Sequence, residues 1–500
     1  MAPFTVALLS PSTVFLLVAL VLLVAVCLLG GSRKPSLKLP PGPRPLPLIG
    51  NLHLIDIRRQ DLSFMKLSEK YGPVFTLHFG WQKVVVLTGY EAVKEALVNQ
   101  GNDFIDKPNT PIYVDIQNWG GVIFSKGEVW KTTRRFTLTA MRDLGMGKNR
   151  VEGRIQEELH FLIEMIESFK GKPFKLKSLM GAPANITFAM LFGDRFDYED
   201  PLFVTFLGII DDVVTLLGVT PLQLYNVYPF LGFLLKPQKI ILERIAIIHT
   251  VLRQKLQESR QNVSENNIRT YIDMMMSKQQ EENSKGTKEN EKIFYDDSVV
   301  ASVIDLALAG SETTSTTLQW AVLLMMKYPE IQQKVQEEIK RVLGAERLPT
   351  FEDRKQMPYC QAVIHEVQRF ISLLPQMPRA AAVDTTFRGY FIPKGTMVIP
   401  SLTSVLYDKT QWETPNQFNP NHFLDAEGNF VKKDAFLPFS IGRRTCVGET
   451  LARMELFLFF VGLLQKYTFQ PPPGMDLDLT TMVTFTLRPQ PQSACAVACQ

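Results

Sequence analysis

Phe439-Ser-Ile-Gly-Arg-Arg-Thr-Cys-Val-Gly448 is the most informative stretch of this 500-residue chain. Its one cysteine, Cys446, lies between two glycines and follows two arginines, and the apolar stretch from Glu449 to Gln465 predicts a helix directly after it. A helix N-terminus pushes a preceding thiol toward the thiolate through its dipole and its free backbone N–H groups. Because thiolates bind iron, the stretch indicates a metal-binding cysteine.

The residues around this cysteine fit a flat metal macrocycle with acidic substituents. Gly442 and Gly448 would let the backbone approach such a ring closely. Arg444 could pair with an acidic substituent, and Phe439 could cover the sulfur. A buried structural cysteine would not call for this set of neighbours.

The other cysteines favour neither zinc nor disulfides. The chain has five in all, an odd number without a close-knit framework: Cys27, Cys360, Cys446, Cys495 and Cys499. This pattern favours a reducing compartment. No second Cys or His lies at zinc-ligand spacing from Cys446, since the nearest, His422, is 24 residues upstream.

Composition indicates a folded protein of ordinary surface charge. Apolar residues make up 46% and charged residues 21%, which excludes a disordered, collagenous or wholly membrane-embedded chain. The net charge of +4 is too small to argue for a nucleic-acid partner.

Upstream of the cysteine, Asp296 to Tyr328 contains no proline and predicts one helix of about 50 Å. Within it, Ala309-Gly-Ser-Glu-Thr-Thr314 replaces the expected helix formers with glycine and hydroxyl residues. Gly310 permits a local distortion, and the Thr313 hydroxyl can donate to the carbonyl of Ala309. The alternative is a mild bend without chemistry.

The rest of the chain predicts a mainly α fold with small β-sheets (α+β) in a single catalytic domain. Val74 to Phe79 and Lys83 to Leu87 resemble strands of a small sheet. Helical periodicity dominates from about residue 150 to 272. Ser277 to Lys292 is polar and charged, which predicts a mobile surface connection.

The N-terminus predicts a membrane anchor. No charged residue occurs from Ala2 to Ser32, and Val14 to Leu29 is an apolar run of 16, so residues 1–32 can span a bilayer. The cations that follow place the remaining chain on the cytoplasmic side. Residues 33–50 then form a proline-rich linker before a domain over 51–500. A cleaved signal peptide is the alternative, and the sequons at Asn185 and Asn262 should stay unmodified.

From these motifs the sequence is identified as resembling the haem-thiolate monooxygenases, the cytochrome P450 superfamily, and specifically its microsomal family 2. Phe439, Gly442, Arg444, Cys446 and Gly448 meet the haem signature, which implies Cys446 as the axial iron ligand. The resemblance implies three further groups of residues: the oxygen-activation motif Ala309, Gly310, Glu312 and Thr313, the Glu-x-x-Arg pair Glu366 and Arg369, and His422 joining that pair.

The resemblance also implies which residues hold the haem propionates. Trp130 and Arg134 match the Trp-x-x-x-Arg motif, Arg379 matches a third such position, and Ser440 a weaker fourth. The family's further arginine is missing between Ile116 and Val122, where Trp119 could fill part of the space.

As a P450-like enzyme, the chain is expected to use haem b, O2 and electrons from NADPH delivered by NADPH-cytochrome P450 reductase, with cytochrome b5 as a possible second donor. Thr313, supported by Glu312, would deliver protons to oxygen. Fatty acids, steroids and xenobiotics are the expected substrates for hydroxylation or epoxidation. The predicted substrate contacts are Asp305, Ala309, Leu374 and Val483. Asp305 either attracts a substrate amine or is satisfied by a neighbouring donor.

The implied localisation is the endoplasmic reticulum membrane, single-pass, with a cytoplasmic catalytic domain. Seven cations are expected on the thiolate side as a docking surface for an acidic reductase: Lys126, Lys131, Arg134, Arg135, Lys432, Lys433 and Arg443. Two alternatives stay open, a haem-thiolate isomerase or dehydratase acting on peroxides and a non-catalytic membrane protein that binds haem or lipid.

Overall fold

The computed structural model describes residues 38–117, 120–262, 268–286, 288 and 292–499. The predicted anchor, the first residues of the linker and Trp119 lie outside these ranges.

Helices form most of the described chain. They are α1 Gln60–Tyr71, α2 Tyr90–Lys94, α3 Pro111–Gln117, α4 Gly127–Asp143, α5 Asn149–Ser168, α6 Gly181–Phe192, α7 Pro201–Gly218, α8 Thr220–Val227, α9 Lys236–Asn262, α10 Tyr271–Ser284, α11 Asp296–Lys327, α12 Pro329–Leu343, α13 Pro358–Ile371, α14 Leu402–Leu406 and α15 Glu449–Lys466. Short 3-10 turns include Pro229–Leu234 and Pro420–Phe423.

The strands form small separate sheets. They are β1 Val74–Phe79, β2 Gln82–Leu87, β3 Phe174–Lys175, β4 Arg379–Ala380, β5 Thr385–Phe387, β6 Tyr390–Ile392, β7 Met397–Pro400, β8 Tyr467–Gln470, β9 Thr481–Val483, β10 Leu487–Pro489 and β11 Ser493–Ala498. The largest sheet has the order β1-β2-β7-β4, in which β2 and β7 are parallel and the other pairs antiparallel. The predicted mainly α fold with small sheets is confirmed.

The long central helix α11 organises the core, as predicted. Its 32 residues span about 48 Å, and most are buried. The exceptions in its middle are Leu306–Gly310 and Thr313, which are only half-buried although the helix crosses the interior. Ala309 and Thr313 lie four residues apart on one face of the helix, and the open space beside that face is the internal cavity.

The prediction of a mobile connection over Ser277–Lys292 is wrong for its first half, because α10 continues to Ser284. Thr270 and Asp273 form a reciprocal capping box at its start, and Tyr271 and Met275 are buried on its inner face. The hydrophobic periodicity of the sequence does not reveal the second half of this helix, because its buried residues all lie in the first half and its last turns are polar.

The second half of the proline-rich linker is attached to the domain. Thr76 of β1 donates its N–H to the carbonyl of Pro41 (2.7 Å) and its hydroxyl to that of Pro40 (3.1 Å). A Cβ on Gly42 would lie 2.0 Å from the Thr76 carbonyl oxygen, so only glycine fits this approach. The described part of the linker therefore packs on the domain.

The first sequon is inaccessible for a structural reason. Asn185 on α6 is 1% exposed, and its amide exchanges two hydrogen bonds with the backbone of Phe196 and donates to Glu158. A glycan cannot be accommodated there in the folded protein, whichever side of a membrane the domain faces. The side chain of Asn262 is outside the described residues.

One helix in the described chain, α7, is long and apolar enough to cross a membrane. Its buried residues, which include Phe203, Phe206 and Ile210, pack into the main hydrophobic core. It is a core helix by its contacts.

Candidate haem-thiolate site

Cys446 is positioned by a tight turn. The Cys446 N–H donates to the Phe439 carbonyl (3.0 Å), and Gly442 in between has a φ of +82°. A Cβ on Gly442 would lie 2.0 Å from the Leu97 carbonyl oxygen, so protein packing requires a glycine here. Its predicted role in the approach to a macrocycle stays a prediction. Gly448, by contrast, has open space beside its Cα, as the prediction requires.

The Cys446 thiol faces the internal cavity. Its side chain is accessible to a water-sized probe, yet protein surrounds it, and this burial raises the pKa of the thiol. The N–H groups of Gly448 and Glu449, at the start of α15, and the nearby Arg134 oppose that rise without overcoming it. The predicted push of the helix N-terminus toward the thiolate is present, but burial outweighs it. A cation bound to the sulfur is needed to hold the thiolate.

Four cations without an ion-pair partner among the described residues lie near the same cavity: Lys107, Arg134, Arg379 and Arg444. Burial, and then mutual repulsion, lowers the pKa of Arg379 to about 10 and that of Arg444 to about 9. A buried cation without a counterion is costly, so the cluster requires anionic groups from a ligand.

The four cations differ in how many of their N–H groups already donate to protein carbonyls. Arg379 has one buried guanidinium nitrogen without a partner, and Arg134 donates from one nitrogen to the Thr445 carbonyl (2.6 Å). Arg444 instead donates to the carbonyls of Ile105, Ile123 and Ser125. It also stacks over Trp130, 4.1 Å from the ring centroid. Three backbone carbonyls thus accept from Arg444, and its pairing with an acidic substituent stays a prediction.

Lys107 is the member of this cluster that sequence reasoning missed. It is 6% exposed, donates to the Pro378 carbonyl (3.3 Å) and lies 5.8 Å from the Phe124 ring centroid. Burial and the neighbouring Arg379 and Arg444 lower its pKa well below the ordinary value. Lys107 supplies a buried positive charge, whereas the sequence from Ile116 to Val122 contains no arginine. No motif marks Lys107, because a single lysine in a loop has no signature.

Together these residues fit haem. A thiol is a group that can bind iron, and the unpartnered Arg379 nitrogen and the uncompensated cations suit two propionates. The half-buried Ala309 and Thr313 of α11 show open space beside the helix. Ser440 is in the turn before Cys446 with a φ of +61°, and its buried hydroxyl has no hydrogen-bond partner within the described ranges.

The Thr313 hydroxyl donates to the Ala309 carbonyl (2.7 Å), the bond that the sequence predicted. Helical geometry is continuous through this segment, and the predicted distortion at Gly310 is not seen. Gly310 is needed instead for packing, since a Cβ there would lie 2.4 Å from the Thr187 hydroxyl on α6.

Glu312 does not contact Thr313, contrary to its predicted supporting role. Its carboxylate accepts a bidentate pair from Arg488 of β10 (2.7 and 2.5 Å) and the hydroxyls of Thr316 (2.9 Å) and Thr486 (2.8 Å). Arg488 also donates to Asp211 on α7 (2.7 Å). Residues 312 and 313 point in directions about 100° apart on a helix, so Glu312 faces this ion-pair network and not the cavity side.

Asp305 is satisfied by its neighbours, which contradicts the substrate-amine hypothesis. Its oxygens accept from the Gln117 amide (2.6 Å) and from the N–H groups of Val122 (2.7 Å) and Ile123 (2.8 Å). Burial raises the pKa of this carboxyl to about 6. Asp305 therefore fastens the loop after α3 to the central helix and is 2% exposed.

The structure brings Glu366, Arg369 and His422 together behind the site. Arg369 makes two bonds of 2.7 Å to Glu366, both side chains are 0% exposed, and His422 Nδ1 lies 3.2 Å from Glu366. Leu374 is half-buried between α13 and β4, and Val483 ends β9, where its side chain is outside the described parts.

Comparison with known proteins decides the family, because residues 40–496 match the family model for cytochrome P450. The chain belongs to the cytochrome P450 family. It is 52% identical to cytochrome P450 2W1 of Homo sapiens over 94% of the chain and 96% of that protein. It is 47% identical to cytochrome P450 2K1 of Oncorhynchus mykiss, covering 94% of each. Cytochrome P450 2C14 of Oryctolagus cuniculus is 44% identical over 89% of the chain and 91% of its own length.

This P450 is therefore a haem-thiolate monooxygenase of the family 2 type, and the predicted activity is confirmed. It uses haem b, O2 and NADPH electrons supplied by a reductase to oxidise apolar small molecules. It is a microsomal membrane protein. The isomerase and non-catalytic alternatives give way to this function.

Proposed function

We propose that the monooxygenase reaction of this P450 is carried by Cys446 as the axial iron ligand and Thr313 as the hydroxyl that handles protons. The observation that supports it is an accessible thiol in a desolvated cavity, beside buried cations that form no ion pair with a described residue. The proposal assigns the propionates to Arg134, Arg379 and Lys107, with Trp130 stacked between Arg134 and Arg444. Ser440 is assigned as a weaker contact.

Haem, when bound through a thiolate, activates O2 for insertion into a C–H bond. Thr313 contributes by holding one proton at its hydroxyl, now donated to the Ala309 carbonyl, and by accepting a hydrogen bond from water. Glu312 is not in contact with that hydroxyl, so we assign it to positioning: it fixes the helix against β10 through Arg488. Ala309 leaves room on the cavity side because its side chain is a single methyl group.

The decisive experiment is the carbonyl spectrum of the dithionite-reduced full-length protein in detergent. We expect the thiolate-type absorption band in the parent and its loss in Cys446→Ser, with Cys499→Ser as the matched control because Cys499 lies in the exposed C-terminal strand region. A parent protein that carries its iron on an imidazole, or Cys446→Ser that keeps the thiolate-type band, would refute the assignment.

For membrane attachment we propose a single-pass anchor in the endoplasmic reticulum with a cytoplasmic domain. A cluster of exposed apolar side chains supports it, which we call the apolar ledge: Leu46, Leu48, Trp81, Phe230, Phe233 and Leu234, all between 47% and 72% exposed. Trp81 stacks on Phe230 (6.2 Å between centroids), and Tyr228 donates to the Leu48 carbonyl (2.8 Å). Leu46 and Leu48 of the ledge belong to the proline-rich segment that follows the predicted anchor in sequence. Protease protection of this domain in sealed microsomes would contradict the topology.

The proposed electron donors are NADPH-cytochrome P450 reductase and cytochrome b5. Six of the seven predicted docking cations are exposed: Lys126, Lys131, Arg135, Lys432, Lys433 and Arg443. Lys126 is exposed but contacts Asn109, and Arg134 belongs to the cavity instead. Reduction rates that do not fall with ionic strength would argue against docking through these charges.

A further inference from the structure

A histidine enclosed by aromatic rings connects α13 to the helix that follows Cys446. His365 is surrounded by three rings at centroid distances of 4.6 to 5.5 Å: Phe423, Phe430 and Phe436. Its Nδ1 lies 2.7 Å from the Gln361 carbonyl, which can only accept, so Nδ1 carries the proton. Nε2 therefore accepts from Arg453 (3.1 Å). Burial, and then Arg453, lowers the pKa of His365 to about 3, so the ring is neutral.

Arg453 on α15 extends this connection to the turn that holds Cys446. Its guanidinium pairs with the Glu449 carboxylate, one helical turn earlier, at 2.9 and 3.0 Å. The guanidinium carbon lies 5.1 Å from the centroid of the Phe439 ring, which is a cation–π distance. The carbonyl of Phe439 in turn accepts from the Cys446 N–H. Because the planar guanidinium contacts an imidazole, a carboxylate and a ring, its orientation is fixed.

Glu449, the first residue of α15, acts on the Cys446 sulfur in two opposite ways. Its N–H, together with that of Gly448, favours a negative charge on the sulfur. Its carboxylate is itself negative and disfavours that charge. Arg453 pairs with the carboxylate and compensates it. The net charge beside the sulfur therefore depends on Arg453.

We propose that Arg453 is a positioning residue for the monooxygenase reaction, which raises the reduction potential of iron bound to Cys446 by neutralising Glu449. This rests on the proposed axial ligand. The electron is the one that the reductase supplies. Reduction adds one negative charge to the iron and its ligands, so an uncompensated carboxylate beside the sulfur disfavours the reduced state. Groups behind a metal ligand tune the metal in this way. His365 adds no charge, and its role is to hold the guanidinium in place.

The test is a spectroelectrochemical titration of the full-length holoprotein in detergent, without reductase, which measures the equilibrium between ferric and ferrous iron. Arg453→Met removes the charge and should shift this equilibrium toward ferric iron by about two- to fivefold, which is about 20–40 mV for one electron. The expected shift is modest because the side chains of Arg453 and Glu449 are 30% and 35% exposed, so water screens part of the charge. Lys466→Met is the matched control and should leave the potential unchanged, since it removes a cation about 20 Å further along the same helix.

Three further variants test the sign of the effect and the contacts that produce it. Glu449→Gln removes the negative charge and keeps the N–H, so it should raise the potential by a similar amount. Glu449→Gln combined with Arg453→Met removes both charges and should lie within about twofold of the parent. His365→Phe fills the aromatic site without an acceptor nitrogen and should lower the potential by less than Arg453→Met does.

A potential of Arg453→Met equal to or above that of the parent, or a double variant as low as Arg453→Met, would overturn the inference. An unchanged potential in His365→Phe would overturn the role of the imidazole. The carbonyl spectrum of the same preparations tests the axial ligand independently. A parent without the thiolate-type band rejects the proposed function, whereas intact bands with unshifted potentials reject only the role of Arg453.

Discussion

Replacing Arg488 by methionine tests whether Glu312 is held as a buried ion pair. The substitution removes two charge-assisted hydrogen bonds to a carboxylate that is 4% exposed, each contributing about 1.5–3 kcal/mol. Its bond to Asp211 adds little, because that carboxylate is 24% exposed and water replaces the contact. We expect Arg488→Met to lower the free energy of unfolding by about 3–5 kcal/mol, the usual cost of stranding one buried charge.

A double-mutant cycle by urea unfolding, followed through tryptophan fluorescence, separates this pair from simple packing. Glu312→Gln combined with Arg488→Met should cost only about 1–2 kcal/mol, since a neutral amide can still accept from Thr316 and Thr486. Lys177→Met is the control, because it removes an exposed partner of the same Asp211 and should cost at most about 1 kcal/mol. Costs of the single substitutions that simply add in the double variant would refute the reasoning.

Three further outcomes are expected. Burial raises the pKa of Glu455, which is 1% exposed, from an ordinary 4.5 to about 8, so its contribution to stability is complete below pH 4.5 and is lost as the pH rises through 8. In the parent, the free energy of urea unfolding should fall by about 5 kcal/mol between pH 4.5 and pH 8. Glu455→Gln should remove this fall, and a variant with the same pH profile as the parent would contradict the burial effect. Thr313→Ala should keep the haem spectrum but divert O2 to peroxide, whereas Thr317→Ala, which loses the same kind of i−4 bond on a buried face, should stay coupled in a peroxide assay. Lys107→Met should speed transfer of haem to apomyoglobin about tenfold, since it removes a charge-assisted contact, while the exposed Lys66→Met should not.

The sequence was sufficient for features that depend on local patterns. The central helix was predicted to within a residue, because proline-free helical spacing over 32 residues leaves no other structure. The bond from Thr313 to Ala309 was also predictable, because a threonine hydroxyl in a helix reaches the carbonyl four residues earlier.

The sequence was insufficient where tertiary contacts decide. Glu312 and Arg488 are 176 residues apart, and no spacing rule connects a helix acid with a strand arginine. Asp305 was ambiguous for the same reason, since its donors come from a loop whose backbone position no residue type reveals. The direction of the Cys446 pKa depends on how deeply the sulfur is desolvated, which periodicity does not report.

The attachment of Pro40 and Pro41 to Thr76 determines how much of the chain can be removed together with the predicted anchor. A start placed before residue 40 preserves both carbonyls and leaves the first strand with its covering segment. A shortened protein that begins within residues 40–50 loses part of the segment around Gly42 that covers the edge of β1. An uncovered edge strand favours aggregation. Pro40 and Pro41 are therefore part of the folded domain and should be kept in a shortened protein.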